Sequence, residues 1–404
     1  MLEANPRARR APYPAALREI MSIAAARDSR RMLAGWDMLA LGTPLRHLSG
    51  LARELGVGAI HVKDESERSP LGSFKALGAP IALLRLLQRE RPGLDGADLL
   101  AGAHAAALRG FVVVSATDGN HGRALAAAAR SVGCRCVIVL HAKVSMERER
   151  PIAALGAEIV RVAGNYDDSV HEAARLAQAN GWRVVSDTSY EGYEDIPRDV
   201  MQGYAVIADE VLENAAPGSA CPYTHVFLQG GVGGLAAAIT SYFWERCGAG
   251  RPSFVVVEPQ QADCLLQSAR AGVPARASGS IDSVMAGLAC GETSPLAWRF
   301  LEGSVDFFQT VTDEDAVAAM RVLARGDRGD VPVLAGESGA AGLAGLTALL
   351  SKPSSAAQLR LDANARVLLL NTEGATAPQL YETLAGVAPQ QVLRAQRERL
   401  ARPA

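Results

Sequence analysis

Read for the spacing of apolar and polar positions, the chain alternates short apolar runs with longer segments in which apolar residues recur every three or four positions. The runs at 111–115, 136–140, 158–162, 183–185, 225–228, 254–257 and 367–370 are bounded by small or turn-forming residues and predict strands. The segments at 122–132, 169–180, 203–214, 234–246 and 339–350 predict helices. The runs lack the period-two alternation of half-exposed strands, so helices should cover both faces of the sheets. The pattern predicts an α/β protein with parallel or mixed sheets and no internal repeat. Linker-like stretches fall at 93–96, 217–222, 325–331 and 352–355, the second marking a candidate domain boundary.

Composition narrows the class. With 404 residues, 49% hydrophobic and 21% charged, the chain can bury a large core and suggests two or three domains. A net charge of −2, with no basic tract interleaved with aromatics, argues against a nucleic-acid role. No apolar run approaches the length that crosses a bilayer. Arg18, Glu19, Arg27 and Asp28 interrupt the alanine-rich N-terminal stretch before a signal-peptide core can form, so a cytoplasmic protein is expected. The six cysteines follow no framework. Cys134 and Cys136 share one face of a predicted buried strand and are expected as core residues, with no metal site.

Three segments carry candidate chemistry. In Pro70-Leu71-Gly72-Ser73-Phe74-Lys75-Ala76-Leu77-Gly78-Ala79, a lysine sits among apolar and small residues. An amine there loses hydration of its charged form, which lowers its pKa and readies it for Schiff-base formation. A lysine whose stem lies along an apolar helix face reads the same way. Gly230-Gly231-Val232-Gly233-Gly234 lies between a predicted strand and helix, where converging amides and the helix N-terminus favour a phosphate; the alternative is a tight turn. No Gly-Lys-Ser/Thr follows, and the spacing is not the dinucleotide fingerprint. Ser115-Ala116-Thr117-Asp118-Gly119-Asn120-His121-Gly122 again joins strand to helix, with hydroxyls and amides suited to a carboxylate. Thr117 or Asp118 would alternatively cap that helix. His121 is assigned no chemistry.

In their order along the chain, the lysine segment, the Asn120 segment and the glycine turn resemble those of the fold-type II pyridoxal-phosphate enzymes, the tryptophan synthase β-subunit superfamily. A closer resemblance is to the diaminopropionate ammonia-lyases. It is carried by Lys63-Asp64-Glu65-Ser66, Gly72-Ser73-Phe74-Lys75-Ala76-Leu77-Gly78, Ala116-Thr117-Asp118-Gly119-Asn120-His121-Gly122 and Asp187-Thr188-Ser189-Tyr190-Glu191-Gly192-Tyr193. Ile196-Pro197, Met201-Gln202-Gly203-Tyr204 and Asn371-Thr372-Glu373-Gly374-Ala375-Thr376 extend it over nearly the whole chain. Threonine and serine dehydratases usually carry Ser-x-Gly-Asn-His in the carboxylate loop, so the Thr117-Asp118 pair favours the diamino-acid branch. Ala377 departs from the family where an aspartate is expected before Pro378, and Arg68-Ser69-Pro70 departs from the commoner Arg-Phe-Gly.

The resemblance implies two domains, each a mostly parallel sheet covered by helices: a large one from 1–107 and 222–404, and a smaller, substrate-closing one from 108–221. It implies pyridoxal phosphate joined to Lys75, with Asn120 at the ring hydroxyl and Gly230, Gly231, Val232, Gly233 and Gly234 at the phosphate. Thr372 would face the pyridine nitrogen, although a threonine at a strand end also has a structural explanation. Ser115, Thr117, Asp118 and Asp187 are expected at the amino-acid substrate, with Asp118 a second acid or base beside Lys75. The implied substrate, 2,3-diaminopropionate, has an ammonium at Cβ, which would pair a carboxylate of Asp118 or Asp187 that is otherwise unfavourable beside a carboxylate site. Asp187 would alternatively cap a turn with Ser189. Glu337-Ser338-Gly339 either lines the cofactor pocket or starts a helix. Glu191, Tyr193 and Tyr204 shape a flap or pack an interface.

The implied reaction is α,β-elimination to pyruvate and ammonia, carried out by a homodimer. Dehydratase-like elimination, β-replacement by an external nucleophile, and a non-catalytic cofactor-binding role are the competing readings.

Overall fold

The computed structural model describes residues 1–117, 119–164, 166–216 and 219–402. Its strands are β1 (Leu2–Ala4), β2 (Leu45–His47), β3 (Ala59–Asp64), β4 (Val112–Ala116), β5 (Arg135–His141), β6 (Glu158–Val162), β7 (Arg183–Val184), β8 (His225–Gln229), β9 (Ser253–Pro259), β10 (Phe307–Val311) and β11 (Arg366–Asn371). The chain divides into one unit of Met1–Ile23, Gly42–Glu67 and Ile207–Ala404, and a second of Ala24–Leu41 and Arg68–Val206.

The first unit holds a seven-stranded sheet in the order β1-β10-β9-β8-β11-β3-β2. Its five inner strands are parallel, while β1 and β2 pair antiparallel at the edges. Phe227, Val255, Val257, Val367 and Leu369 form a buried core with Leu343 and Leu346 of the helix Ala341–Leu350. Burial on both faces explains why these strands read as unbroken apolar runs. The register brings the ends of β8 and β11 side by side, since His225 lies opposite Val367 and Phe227 opposite Leu369.

In the second unit the sheet is four-stranded, order β6-β5-β4-β7, and wholly parallel. Val112, Val114, Val137 and Val139 pack against Ala173 and Ala177 of the helix Tyr166–Asn180. The helix Lys75–Glu90 packs on Asn120–Val132 and Asp195–Tyr204. That packing groups residues 68–107 with the second unit, a different division from the boundary expected at residue 108. The single helix expected at 203–214 is instead two, Asp195–Tyr204 and Val206–Val211, split where the chain passes between units.

Two motifs distant in sequence are joined in the first unit. Asp64 and Asn371 lie opposite each other at the ends of β3 and β11, and Asn371 Nδ2 donates to Asp64 Oδ1 at 2.8 Å. Next to them, the buried Lys63 ammonium donates to Glu210 Oε2 at 2.6 Å and to the Thr43 carbonyl at 2.7 Å. Thr43 Oγ1 in turn donates to Glu65 Oε1 at 2.7 Å. Lys63-Asp64-Glu65 is therefore a structural clasp around the sheet end, in which the buried Lys63 charge is paired as burial requires.

Candidate active site

Lys75 opens the helix Lys75–Glu90, and its ammonium is paired with the carboxylate of Asp187. The ring centroids of Phe74 and Tyr204 stand 5.2 and 5.5 Å from Nζ. Tyr204 can come so close because residue 78 is glycine: a Cβ there would sit 2.8 Å from the Tyr204 Cζ and from Val200. Burial pulls the Lys75 pKa down, as the sequence suggests, but the Asp187 carboxylate and Tyr204 outweigh it and the net direction is upward. Burial likewise opposes the Asp187 charge, yet the neighbouring ammonium holds that carboxyl below its ordinary range. The lysine is thus held as an ammonium by its carboxylate partner. Composition alone could not show this, because the deciding carboxylate comes from 112 residues downstream.

Asp187 is held by its neighbours. The Tyr193 hydroxyl donates to the Val184 carbonyl at 3.0 Å and accepts from the Ser186 amide at 2.9 Å, pinning the segment that leads from β7 to Asp187. Tyr193 stacks on Tyr190 with centroids 4.8 Å apart. Behind this segment His121 contacts the Val185 carbonyl through Nε2 at 2.9 Å, while Nδ1 stands 3.9 Å from Asp187 Oδ2. Asn120 and His121 are the first two residues of the helix Asn120–Val132, which follows β4. Thr117 Oγ1 accepts from the Gly119 amide at 3.4 Å, and Ser115 is fully buried in β4. Asp118 lies outside the described residues. Lys75, Asn120, His121, Asp187 and Tyr204 all belong to the second unit.

The glycine turn and Thr372 belong to the first unit, at the adjoining ends of β8 and β11. Residues 230–234 follow β8 and lead directly into the helix Gly234–Cys247. The Gly231 carbonyl accepts from Cys264 Sγ at 3.4 Å and the Val232 carbonyl from the Ser294 amide at 3.0 Å. In a trans peptide the N–H points opposite the C=O, so the Val232 and Gly233 amides face away from those partners, as an anion cradle needs. A Cβ on Gly230 would lie 2.5 Å from Glu258 Cγ, and Gly233 has φ +103° with Leu301 Cδ1 2.8 Å from its Cβ position. Gly230 and Gly233 are thus required by the turn, which fits a phosphate at a helix N-terminus with no acidic side chain in the first turn. Beside it, Thr372 is buried, and Gln229 Nε2 donates to the Leu370 carbonyl at 2.7 Å and the Gly339 carbonyl at 3.1 Å. Ser338 Oγ accepts from the Gly287 amide at 3.1 Å, so the Glu337-Ser338-Gly339 segment braces this end of the sheet.

Gly233→Ala should strain the turn by about 1–3 kcal/mol and weaken pyridoxal phosphate binding at least about tenfold. A fluorescence titration of the cofactor-free protein measures it; unchanged affinity would detach the turn from the phosphate.

The lysines of the chain are Lys63, Lys75, Lys143 and Lys352. Lys63 is locked in its buried pair, and Lys143 and Lys352 are exposed, which leaves Lys75 as the candidate amine. Residues 37–373 match the family model described as "Pyridoxal-phosphate dependent enzyme", and the chain belongs to that family. Within it the chain belongs with the diaminopropionate ammonia-lyases. The relative of that name from Salmonella typhimurium is 40% identical over 352 residues, 85% of this chain and 87% of the relative. The crystal structure of diaminopropionate ammonia lyase from Escherichia coli in complex with D-serine is 36% identical, covers 95% of this chain and 96% of its own, and superposes with a TM-score of 0.86. The same Escherichia coli enzyme in complex with an aminoacrylate-PLP azomethine reaction intermediate is 35% identical with the same coverage and a TM-score of 0.84.

The sequence assigns no chemistry to His121 or Phe74, and for Tyr204 it leaves a flap or an interface as alternatives. Their motifs are quoted in the resemblance, but only the fold shows that their side chains converge on Lys75 and Asp187.

Proposed function

We propose that this protein is a pyridoxal-phosphate-dependent carbon–nitrogen lyase that converts 2,3-diaminopropionate and water to pyruvate and two molecules of ammonia. The observation that carries the proposal is the Lys75–Asp187 pair in a chain whose relatives include the Salmonella typhimurium diaminopropionate ammonia-lyase. When bound, the cofactor supplies an electron sink that stabilises the carbanion left at Cα. Lys75 carries it and, once freed as an amine, takes the Cα proton on one side. Asp118 is the second acid or base. Asn120 orients the cofactor ring hydroxyl, Gly230, Gly231, Val232, Gly233 and Gly234 hold the phosphate, and Thr372 offers the ring nitrogen a neutral hydroxyl. That neutral partner makes the ring less electron-withdrawing than a carboxylate would, which suits elimination. Thr117, just past β4, belongs to the segment that receives the substrate carboxylate, and Ser115 supports that segment from within β4. Asp187, relieved of the lysine ammonium, pairs with the ammonium at Cβ.

The active species is taken to be a homodimer of the cytoplasm. Cys134, Cys136, Cys221, Cys247, Cys264 and Cys290 are free thiols, which suits a reducing compartment. Light scattering on the purified protein tests the dimer. No helix among the described residues is long and apolar enough to cross a membrane.

The deciding experiment measures pyruvate and ammonia from D- and L-diaminopropionate, serine and threonine. Diaminopropionate should give the highest kcat/KM of the set. Preference for threonine would favour a dehydratase, and a thiol adduct formed at the expense of pyruvate would favour β-replacement. No product from a fully loaded protein would leave only a binding role.

A further inference from the structure

His121 has a defined proton and a defined acceptor. A carbonyl oxygen can only accept, so the 2.9 Å contact with Val185 places the ring proton on Nε2. The ring is buried, and burial favours its uncharged form, leaving a bare lone pair on Nδ1. Among the described residues that nitrogen is enclosed and meets no hydrogen-bond donor. Its charged neighbour is Asp187 Oδ2 at 3.9 Å. Two acceptors facing one another at this separation are unfavourable by themselves and become favourable when one group with several N–H bonds donates to both. The Lys75 ammonium satisfies the carboxylate but leaves the imidazole nitrogen without a bond.

We propose that His121 Nδ1 and the Asp187 carboxylate together receive the Cβ ammonium of the substrate, making His121 a specificity-determining residue for a diamino acid over a hydroxy amino acid. The inference rests on the diaminopropionate reading. An ammonium offers three donors and a charge to this pair, whereas the serine hydroxyl offers a single donor and no charge. The backbone anchor on Val185 holds the proton on Nε2 and so excludes the neutral tautomer that would present an Nδ1–H donor to the ammonium. The binding half of the pair is therefore built on a strand end and a helix start, both rigid elements.

The test compares kcat/KM for diaminopropionate and for serine in the holoenzyme and in His121→Gln and His121→Asn. Glutamine can preserve donation to the Val185 carbonyl while displacing the acceptor; asparagine keeps a polar atom near the Nδ1 position. His121→Gln should lower the diaminopropionate-to-serine ratio about tenfold or more, carried by KM for the diamine, with His121→Asn closer to wild type. An equal loss for both substrates would overturn the proposal and return His121 to a structural part. Nitrogen NMR of isotope-labelled wild-type holoenzyme, with the His121 ring assigned by through-bond correlation to its own backbone amide, supplies a readout independent of turnover. A neutral ring protonated on Nε2 is expected, and a proton on Nδ1 would refute the account even if neither variant folds. Failure of the wild-type protein to act on diaminopropionate would instead remove the parent reading while leaving the tautomer result intact.

Discussion

Lys75→Ala protein, freed of unbound pyridoxal phosphate, is expected to lack the visible absorption band of the lysine-linked cofactor and to release pyruvate at least about a thousandfold more slowly than wild type. Two functions disappear with one side chain: the covalent attachment that positions the cofactor, and the amine that moves the Cα proton. The variant also leaves Asp187 without its ammonium, so its carboxyl should rise toward the ordinary carboxylate range or above it. Lys75→Arg separates these effects, since it restores the charge opposite Asp187 but forms no Schiff base. Retention of both the visible band and turnover in Lys75→Ala would move the chemistry to another amine.

Asp118→Asn should lose about a hundred- to ten-thousandfold in kcat while keeping the cofactor, the range expected for removing a general acid or base. Its position argues for this outcome. In sequence Asp118 falls within a Ser115-to-Gly122 motif whose hydroxyls and amides suit a carboxylate, and an acidic residue in such a motif is favoured only if it meets a cation or carries a proton. Steady-state rates with diaminopropionate, alongside the absorption spectrum, check both halves of the expectation. Wild-type rates would take Asp118 out of the mechanism.

The strands that were legible in the sequence are those buried on both faces. The runs at 136–140, 225–228 and 367–370 reappear almost unchanged as β5, β8 and β11, because apolar runs between turn residues have few other uses. β3 and β10 were hidden by polar residues with structural duties: His61 and Lys63 in one, Gln309 and Thr310 in the other. Gln309 Nε2 donates to the Gly345 carbonyl at 3.1 Å, a buried bond that no apolar pattern announces. The helix beginning at Lys75 was obscured by Gly78 and Pro80, which punctuate it locally but are accommodated by tertiary packing.

The site was legible where one segment carries the chemistry, and it was not where two segments meet. The lysine segment and the glycine turn each announce themselves through local composition. The pairing of Lys75 with Asp187 and the orientation of His121 depend on β7 lying beside β4, information spread over long separations. The direction of the Lys75 pKa followed that unseen partner and not its apolar surroundings.

The account stands or falls on which amine carries the aldehyde cofactor. Borohydride reduction of the holoenzyme followed by peptide mass mapping should place one pyridoxyl phosphate group on the peptide containing Lys75. Finding it on Lys63, Lys143 or Lys352, or finding no adduct in protein that turns over diaminopropionate, would contradict the account.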